Sequence, residues 1–245
     1  NTISGRSNDS IDANEDSGTV TGGAITLDAD GGIRDGQAGN GITNLTTEGL
    51  ATLKANDGVG EVTGTSSSDV GDIDTNIGSL AGHVYETGDF LLQEADDLII
   101  ADANPSGDDL STAGSSGNLS IETIDGDLTL TGSVDSTATE GNLVFVVPAS
   151  DHGIAVNNSV TSAHGSLYFS ANDTFTQSAD GDLTANGTDP GADITVEAGG
   201  AITMTDGAVS RTNGGNIRYT SNESVAVSKI TTFNPTTSNQ GSVYI

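Results

Sequence analysis

The chain has 245 residues and a formal net charge of -29, because 35 Asp and Glu residues stand against only 6 Lys and Arg. This charge repels nucleic-acid phosphates and anionic lipid, and the absence of Cys excludes disulfides and thiolate metal sites. No apolar run approaches the roughly 20 residues that span a bilayer, so we expect neither a nucleic-acid partner nor membrane insertion. Short alternating apolar runs between turn residues favour ordered strands over disorder.

Residues 1–20 are polar, and their only large apolar side chains are Ile3, Ile11 and Val20. We expect this segment to be an N-terminal lead-in or a cap on the domain that follows. Residues 21–245 are predicted to form that single domain.

In residues 21–116, apolar runs follow glycines at irregular spacing, which predicts coils with long turns. Asp28, Asp30 and Asp35 form an acidic turn near the start of this region. Asp carboxylates are hard oxygen ligands, so these three residues are the predicted metal site, and calcium is the cofactor that the sequence suggests. The alternative is that they are solvated side chains selected for turn geometry, with no cofactor.

Residues 101–116 contain Asn104, Pro105 and Gly107 and interrupt the pattern of apolar runs. A long loop of this kind often carries function. A surface insertion that only breaks the repeat is the interpretation we favour for this segment.

The clearest repeat lies in residues 117–245, where glycines spaced by 24 to 26 residues mark successive copies. Within one period, alternating apolar clusters are separated by Gly, Asp or Ser, which indicates several strands. At about 3.3 Å per residue, such a period holds three short strands and three turns, so we predict an all-β, right-handed parallel β-helix. The marker glycines are Gly117, Gly141, Gly165, Gly191, Gly215 and Gly241.

The runs at residues 23–27 (GAITL), 117–121 (GNLSI) and 126–130 (GDLTL) carry a family resemblance. They resemble the repetitive β-helical regions of large bacterial surface proteins of the filamentous-haemagglutinin-like class, as does residues 88–98 (GDFLLQEADDL). The resemblance implies export, a right-handed β-helix, and adhesive or scaffold roles. It transfers no functional residue to this chain.

Catalysis on a β-helix would use clustered carboxylates, often with Arg or Lys on one face. Adjacent pairs such as Asp96 with Asp97 and Asp108 with Asp109 arise by chance in so acidic a chain, and cations are scarce. We therefore assign no catalytic residue. A polysaccharide lyase or hydrolase is kept as an alternative function.

The three histidines, His83, His152 and His164, are 69 and 12 residues apart and lack metal-ligand spacing. We interpret all three as turn or surface residues.

Aromatic residues fall at two phases of the repeat. Phe145, Phe169 and Tyr219 occupy equivalent alternating positions and are predicted to stack inside the solenoid. Tyr168 and Tyr244 are one residue out of that phase, so we expect them on an exposed face where they could contact a ligand.

The final residues begin another coil in the established register, with no polar capping segment after them. An uncovered coil attracts another strand, so we expect either adjoining coils of a larger protein or head-to-tail self-association. In the second case the first coil of one subunit continues its neighbour's ladder. The residues predicted to assemble are Thr2, Ile3, Ser4, Gly241, Ser242, Val243, Tyr244 and Ile245.

Taken together, the sequence predicts a secreted structural or adhesive module at a bacterial cell surface, without enzymatic activity. Its expected partners are copies of itself or adjoining coils, and a host or matrix polysaccharide. A calcium-dependent surface-layer component is a further alternative.

Overall fold

The structure is a computed structural model that describes residues 2–7, 11–13, 20–21, 23–35, 43–60, 71–103, 109–115, 117–139, 141–187, 192–233 and 240–245. For residues up to 21, only the backbone is described. The described chain is all-β and forms a parallel β-solenoid of about 7 turns, with coils of about 26 residues. The predicted fold class is confirmed, and right-handed winding is the sense expected for parallel crossovers. None of the described segments is a helix that could cross a membrane.

Twenty-six strands are described. They are β1 (Thr2–Ser7), β2 (Ile11–Ala13), β3 (Val20–Thr21), β4 (Ala24–Ala29), β5 (Ile33–Asp35), β6 (Leu45–Ala55), β7 (Ile73–Val84), β8 (Phe90–Glu94), β9 (Leu98–Ile100), β10 (Leu110–Thr112), β11 (Leu119–Thr123), β12 (Leu128–Leu130), β13 (Val134–Ser136), β14 (Leu143–Val147), β15 (Ile154–Val156), β16 (Val160–Ser162), β17 (Leu167–Ala171), β18 (Phe175–Gln177), β19 (Leu183–Ala185), β20 (Ile194–Ala198), β21 (Ile202–Met204), β22 (Val209–Thr212), β23 (Ile217–Ser221), β24 (Val225–Ala226), β25 (Lys229–Thr231) and β26 (Val243–Tyr244).

From β8 onward, each coil contributes one strand to each of three columns, and each strand pairs in parallel with its equivalent in the next coil. The first column is β8, β11, β14, β17, β20, β23 and β26. The second is β9, β12, β15, β18, β21 and β24. The third is β10, β13, β16, β19, β22 and β25.

The predicted repeat matches the register of the first column. Leu119 pairs with Leu143 and Leu143 with Leu167, at the predicted interval of 24 residues. Leu167 then pairs with Ile194, an interval of 27, so the insertion near residue 191 is absorbed before the strand begins. Gly191 itself lies outside the described residues, and Ala192 takes the corner position beneath Gly215.

Coils before β8 are less regular, as predicted. β7 is one continuous strand of 12 residues that bends through all three columns. Its start pairs with β8, its middle with β9 and its end with β10. β6 runs beside it, with a register shift between Thr47 and Leu50.

Two predicted boundaries need correction. β1, β2 and β3 pair with β4, β5 and β6, so the described parts of residues 1–20 belong to the solenoid sheet, and the boundary at residue 20 falls inside β3. Segment 101–116 is not wholly an insertion, because Leu110–Thr112 forms β10 of the third column. Residues 104–108 lie outside the described part of the chain.

The core is a continuous stack of inward-pointing side chains, since alternate residues of each strand are buried. Phe145, Phe169 and Tyr219 are buried at equivalent positions, as predicted, with Val196 between the last two. The rings of Phe145 and Phe169 stack with centroids 5.0 Å apart. Such a pair contributes about 0.5–1.5 kcal/mol beyond the burial of its area.

The coils approach most closely at the corner that precedes the first column. A Cβ on Gly165 would lie 2.1 Å from the carbonyl oxygen of Gly141, and one on Gly215 would lie 2.1 Å from that of Ala192. The marker glycines are therefore required by close stacking of the backbone and not by positive φ angles.

The residue after each corner position forms what we call the corner ladder. Its side-chain oxygen accepts a hydrogen bond from the backbone N–H of the equivalent residue one coil later. The N···O distances run from 2.6 Å between Asn216 and Asp193 to 3.1 Å between Asn142 and Asn118. The ladder consists of Asp89, Asn118, Asn142, Ser166, Asp193, Asn216 and Ser242.

Candidate functional site

Three metal-ligand side chains meet where the first column turns into the second. Asp97 and Asp127 directly precede β9 and β12, and His152 lies two residues before β15. One ligand atom from each residue lies within 4.8 Å of the other two, and among the described residues no other group of three His, Asp or Glu does so. We call this group the turn cluster.

The two carboxylates of the turn cluster are held by backbone hydrogen bonds between coils. Oδ1 of Asp97 accepts the Asp127 amide at 2.7 Å, and Oδ1 of Asp127 accepts the Gly153 amide at 2.7 Å. Gly126 permits this approach, because a Cβ there would lie 2.2 Å from the backbone nitrogen of Asp97.

His152 reaches the carboxylates from an unusually long turn. Six residues, 148–153, separate β14 from β15, whereas three separate β17 from β18. Asp151 within this turn has φ of 68°, the only positive φ of a non-glycine residue in the described chain. The carbonyl of His152 accepts the Asp173 amide at 3.0 Å, which fixes the backbone that carries the imidazole.

The ring of His152 is turned toward acidic residues. Its Nδ1 is 3.5 Å from Oδ1 of Asp127 and its Nε2 is 3.8 Å from Oδ1 of Asp125. Nδ1 is shielded from solvent and has no hydrogen-bond partner, although the side chain as a whole is 30% exposed.

The sequence analysis missed this cluster because its residues are separated by 30 and 25 positions. Those intervals become contacts only once the coil register is known, and the register depends on turns of unequal length. A usable signal was the long 148–153 turn with its Asp-His-Gly ending, at the level of two earlier turns that end in Asp.

The structure does not gather Asp28, Asp30 and Asp35 into one ligand set. Asp28 lies in β4 beside Lys54 of the next coil, and Asp30 is exposed in the turn that follows. Asp35 is buried, and its Oδ1 accepts a hydrogen bond from the Asn44 amide at 3.1 Å. These carboxylates therefore sit in three different environments.

A groove of about 540 Å³ crosses the outer face of β6 and β7. Its lining includes the apolar Leu50, the cation Lys54, the phenol ring of Tyr85 and the imidazole of His83. The rings of His83 and Tyr85 are 4.1 Å apart between centroids, and Tyr85 is 45% exposed. We call this feature the Lys54 groove.

His83 was predicted as a turn or surface residue, but it lies half-buried in β7, where it is paired with β10. Its Nδ1 is hydrogen-bonded to Oγ of Ser111. Ser111 is 2% exposed, which leaves little of its hydroxyl open to a substrate. His164 is exposed near the opposite corner, as predicted.

Adjacent carboxylate pairs do not form acid–base sites in the described chain. Asp96 and Asp97 are both exposed. Asp109 is buried and accepts backbone hydrogen bonds from Ala103 and Ser133 at 2.9 Å each, while Asp108 lies outside the described residues. Asp72 and Glu122 instead share a cleft of about 270 Å³, with no Lys or Arg in its described lining.

Glu94 is a buried carboxylate that the sequence analysis did not single out. It accepts hydrogen bonds from the Thr75 hydroxyl at 2.7 Å and from the amides of Ile77, Ala95 and Asp96 at 3.1 to 3.3 Å. These bonds close the bend of β7. Burial raises the pKa of Glu94 to about 7, and the hydrogen bonds oppose that rise.

Neighbouring carboxyls are shifted in the same direction. Burial, with the negative charges of Asp72 and Asp35, raises the pKa of Asp74 to about 6. Burial is also the main reason that the pKa of Asp72 is raised, with Glu122 and Asp35 adding repulsion.

The two predicted ligand-facing tyrosines point outward but differ in freedom. The hydroxyl of Tyr168 donates to Oε2 of Glu197 at 3.0 Å, and the ring is half-buried. Tyr244 is 57% exposed, beside Arg218 of the previous coil.

The assembly residues lie in the first and last described coils. Thr2, Ile3 and Ser4 form part of β1 and pair with β4. Gly241 donates its amide to the Thr232 carbonyl, Ser242 is the last rung of the corner ladder, and Val243 pairs with Ile217. Ile245 follows in the same run and is 67% exposed.

Comparisons with protein-family models, with curated protein sequences and with solved structures found no match to this chain. The resemblance to filamentous-haemagglutinin-like regions thus rests on the sequence pattern, to which the structure adds a β-helical repeat fold.

We predict that the protein is more stable at pH 5 than at pH 8. The folded-state pKa of Glu94 lies above its ordinary value of 4.5, so its contribution is complete below about 4.5 and is lost as pH rises through about 7. Asp72 and Asp74 act in the same direction. Thermal unfolding followed by circular dichroism at several pH values measures this slope.

Replacing Glu94 by Gln should flatten the pH dependence, because the amide cannot ionise. Glu223→Gln is the control, since it removes one charge from an exposed position. Equal slopes for wild type, Glu94→Gln and Glu223→Gln would contradict the assignment to Glu94.

Proposed function

We propose that this chain is a non-enzymatic structural module of an extracellular fibre or adhesin, extended by stacking one β-coil on another. The observation that carries the proposal is an apolar surface on the last described coil, which we call the end face. It is formed by Val225, Val227, Ile230, Val243 and Ile245.

Residues of the end face occupy positions that are buried in earlier coils. Val225 pairs with Ile202 and Val243 with Ile217, and both isoleucines are fully buried. Val227 and Val243 are 38% and 45% exposed. A further coil with the same alternation would bury them, at about 25 cal/mol per Å² of apolar surface removed from water.

The backbone of the same coil is open to further pairing. In the described chain, β24, β25 and β26 each pair with a strand of one neighbouring coil only. At the opposite end, β1, β2 and β3 likewise pair on one side, with β4, β5 and β6.

The strands at the two ends belong to matching columns. Through successive pairings, β1 stands above the second and third columns, while β2 and β3 stand above the first. The first coil of one copy therefore has strands for each open strand of another, which supports head-to-tail stacking by parallel β-pairing.

The proposal predicts end-to-end multimers of the 245-residue chain. They should be longer in moderate salt than in low salt, because salt screens repulsion between chains that each carry a net charge of -29. Val243→Lys should reduce them to monomers, since a charge would be buried in the junction. Analytical ultracentrifugation and electron microscopy measure the lengths.

Ile124→Lys is the matched control, because Ile124 is 43% exposed on the side of the solenoid and away from the end face. Assembly by that variant with loss in Val243→Lys supports the proposal. A wild-type chain that remains monomeric in both salts, or multimers that tolerate Val243→Lys, would contradict it.

The Lys54 groove favours a second, adhesive role. It combines an exposed aromatic ring with one of the chain's 6 cations and with hydroxyl and carboxylate groups. Sugar rings stack on aromatic faces, and Lys54 would pair with the carboxylate of an acidic sugar. We therefore propose an acidic matrix or host polysaccharide as the ligand of this groove.

Binding to polygalacturonate or alginate, measured by biolayer interferometry, should fall about tenfold in Tyr85→Ala and in Lys54→Ala, as loss of one stacking or charged contact predicts. Lys229→Ala, at an exposed cation outside the groove, should bind as wild type does. Equal binding by all three variants would exclude the groove.

The same incubations test the non-enzymatic role. The polysaccharide should be recovered with no new reducing or unsaturated ends. New ends that require Asp72 and Glu122 would establish the alternative, a polysaccharide-cleaving enzyme.

A further inference from the structure

We propose that the turn cluster of Asp97, Asp127 and His152 binds one divalent transition-metal ion of the zinc class and thereby ties three successive coils together. This site is independent of the end face and of the Lys54 groove.

The spacing of the ligand atoms fits a shared ion better than a direct hydrogen bond. Nδ1 of His152 and Oδ1 of Asp127 are 3.5 Å apart, whereas an N–H···O bond spans about 2.7–3.2 Å. Two ligands that each lie about 2.1 Å from a tetrahedral ion are about 3.4 Å from one another. Asp97 offers a third atom within 4.8 Å of both.

The imidazole supplies an independent indication of a ligand. Nδ1 is shielded from solvent and has no hydrogen-bond partner. A buried polar atom without a partner costs about 1–3 kcal/mol, so such atoms usually mark a missing partner. A metal ion between Nδ1 and Asp127 would provide that partner, since the neutral imidazole nitrogen is a good metal ligand.

The three ligands are also held in place before an ion arrives. Backbone amides of Asp127 and Gly153 orient the two carboxylates, and the Asp173 amide holds the backbone of His152. Hydrogen bonds of this kind around metal ligands raise affinity by fixing their orientation.

The ligand types select the metal. Calcium takes six to eight oxygen ligands and rarely imidazole, whereas zinc, cobalt and nickel accept one histidine with carboxylates and water. Four acidic side chains are available at or beside the site if Asp125 and Asp151 are included, so a dication also relieves local repulsion. We therefore expect zinc to bind and calcium to be a poor substitute.

The experiment is isothermal titration calorimetry of the full chain with zinc chloride after treatment with EDTA and removal of the chelator. One equivalent of zinc should bind. His152→Ala and Asp127→Asn should each weaken binding by about tenfold or more. Asn at position 127 retains an acceptor oxygen for the Gly153 amide, so the coil contact survives in that variant.

His164→Ala is the matched control, because His164 is exposed at a different corner and should not affect binding. The melting temperature in zinc should rise for wild type and for His164→Ala, and should not rise for His152→Ala. Melting in EDTA shows whether each variant is folded. The proposal is overturned if wild type binds no zinc, if His152→Ala binds it equally well, or if calcium gives the same one-site isotherm.

Discussion

The close contact between coils at one corner determines the rest of this solenoid. At that corner a glycine, or Ala192 in one coil, lets the backbone of one coil lie against the carbonyl of the preceding coil. The next residue then accepts a backbone amide from the following coil through its side-chain oxygen. Because each coil fixes the next by the same two contacts, the first-column strands begin in register and the inward side chains stack without interruption.

Most of the fold was predictable because this corner leaves a local sequence signature. Gly117, Gly141 and Gly165 each stand two residues before an inward-pointing leucine, so the repeat and the interior stack of Phe145 and Phe169 can be read directly. The irregular half was less predictable, because β7 passes through three columns without a turn signal. Bends of that kind depend on tertiary contacts, including the buried Glu94, which binds amides 17 residues away.

Candidate sites were harder to predict than the fold, for a physical reason. A solenoid brings side chains together across coils, so the sequence distance between contacting residues depends on every intervening turn. Asp97, Asp127 and His152 became neighbours only through turns of unequal length, and Lys54 reached His83 through the pairing of β6 with β7. The local pattern at Asp28, Asp30 and Asp35 was visible in sequence, but strand alternation sends those side chains to different environments.

The acidity of the chain fits a repetitive surface role. A net charge of -29 limits lateral aggregation of exposed strands, while the end face stays apolar. Growth along the solenoid axis is then favoured over side-to-side association. Buried carboxyls with raised pKa values make the coil stack sensitive to pH, and a metal at the turn cluster would reinforce three of its coils.

Hydrogen exchange of individual amides, measured by NMR, tests the role of the corner ladder most directly. The Ser166 amide, which donates to Oδ1 of Asn142, should be as protected as amides inside the strands. Asn142→Ala should remove that protection, while the Asn118 amide, bonded to Asp89, keeps its own. Rapid exchange of the Ser166 amide in the wild-type protein, or unchanged protection in Asn142→Ala, would contradict the claim that side-chain rungs at this corner hold the coils in register.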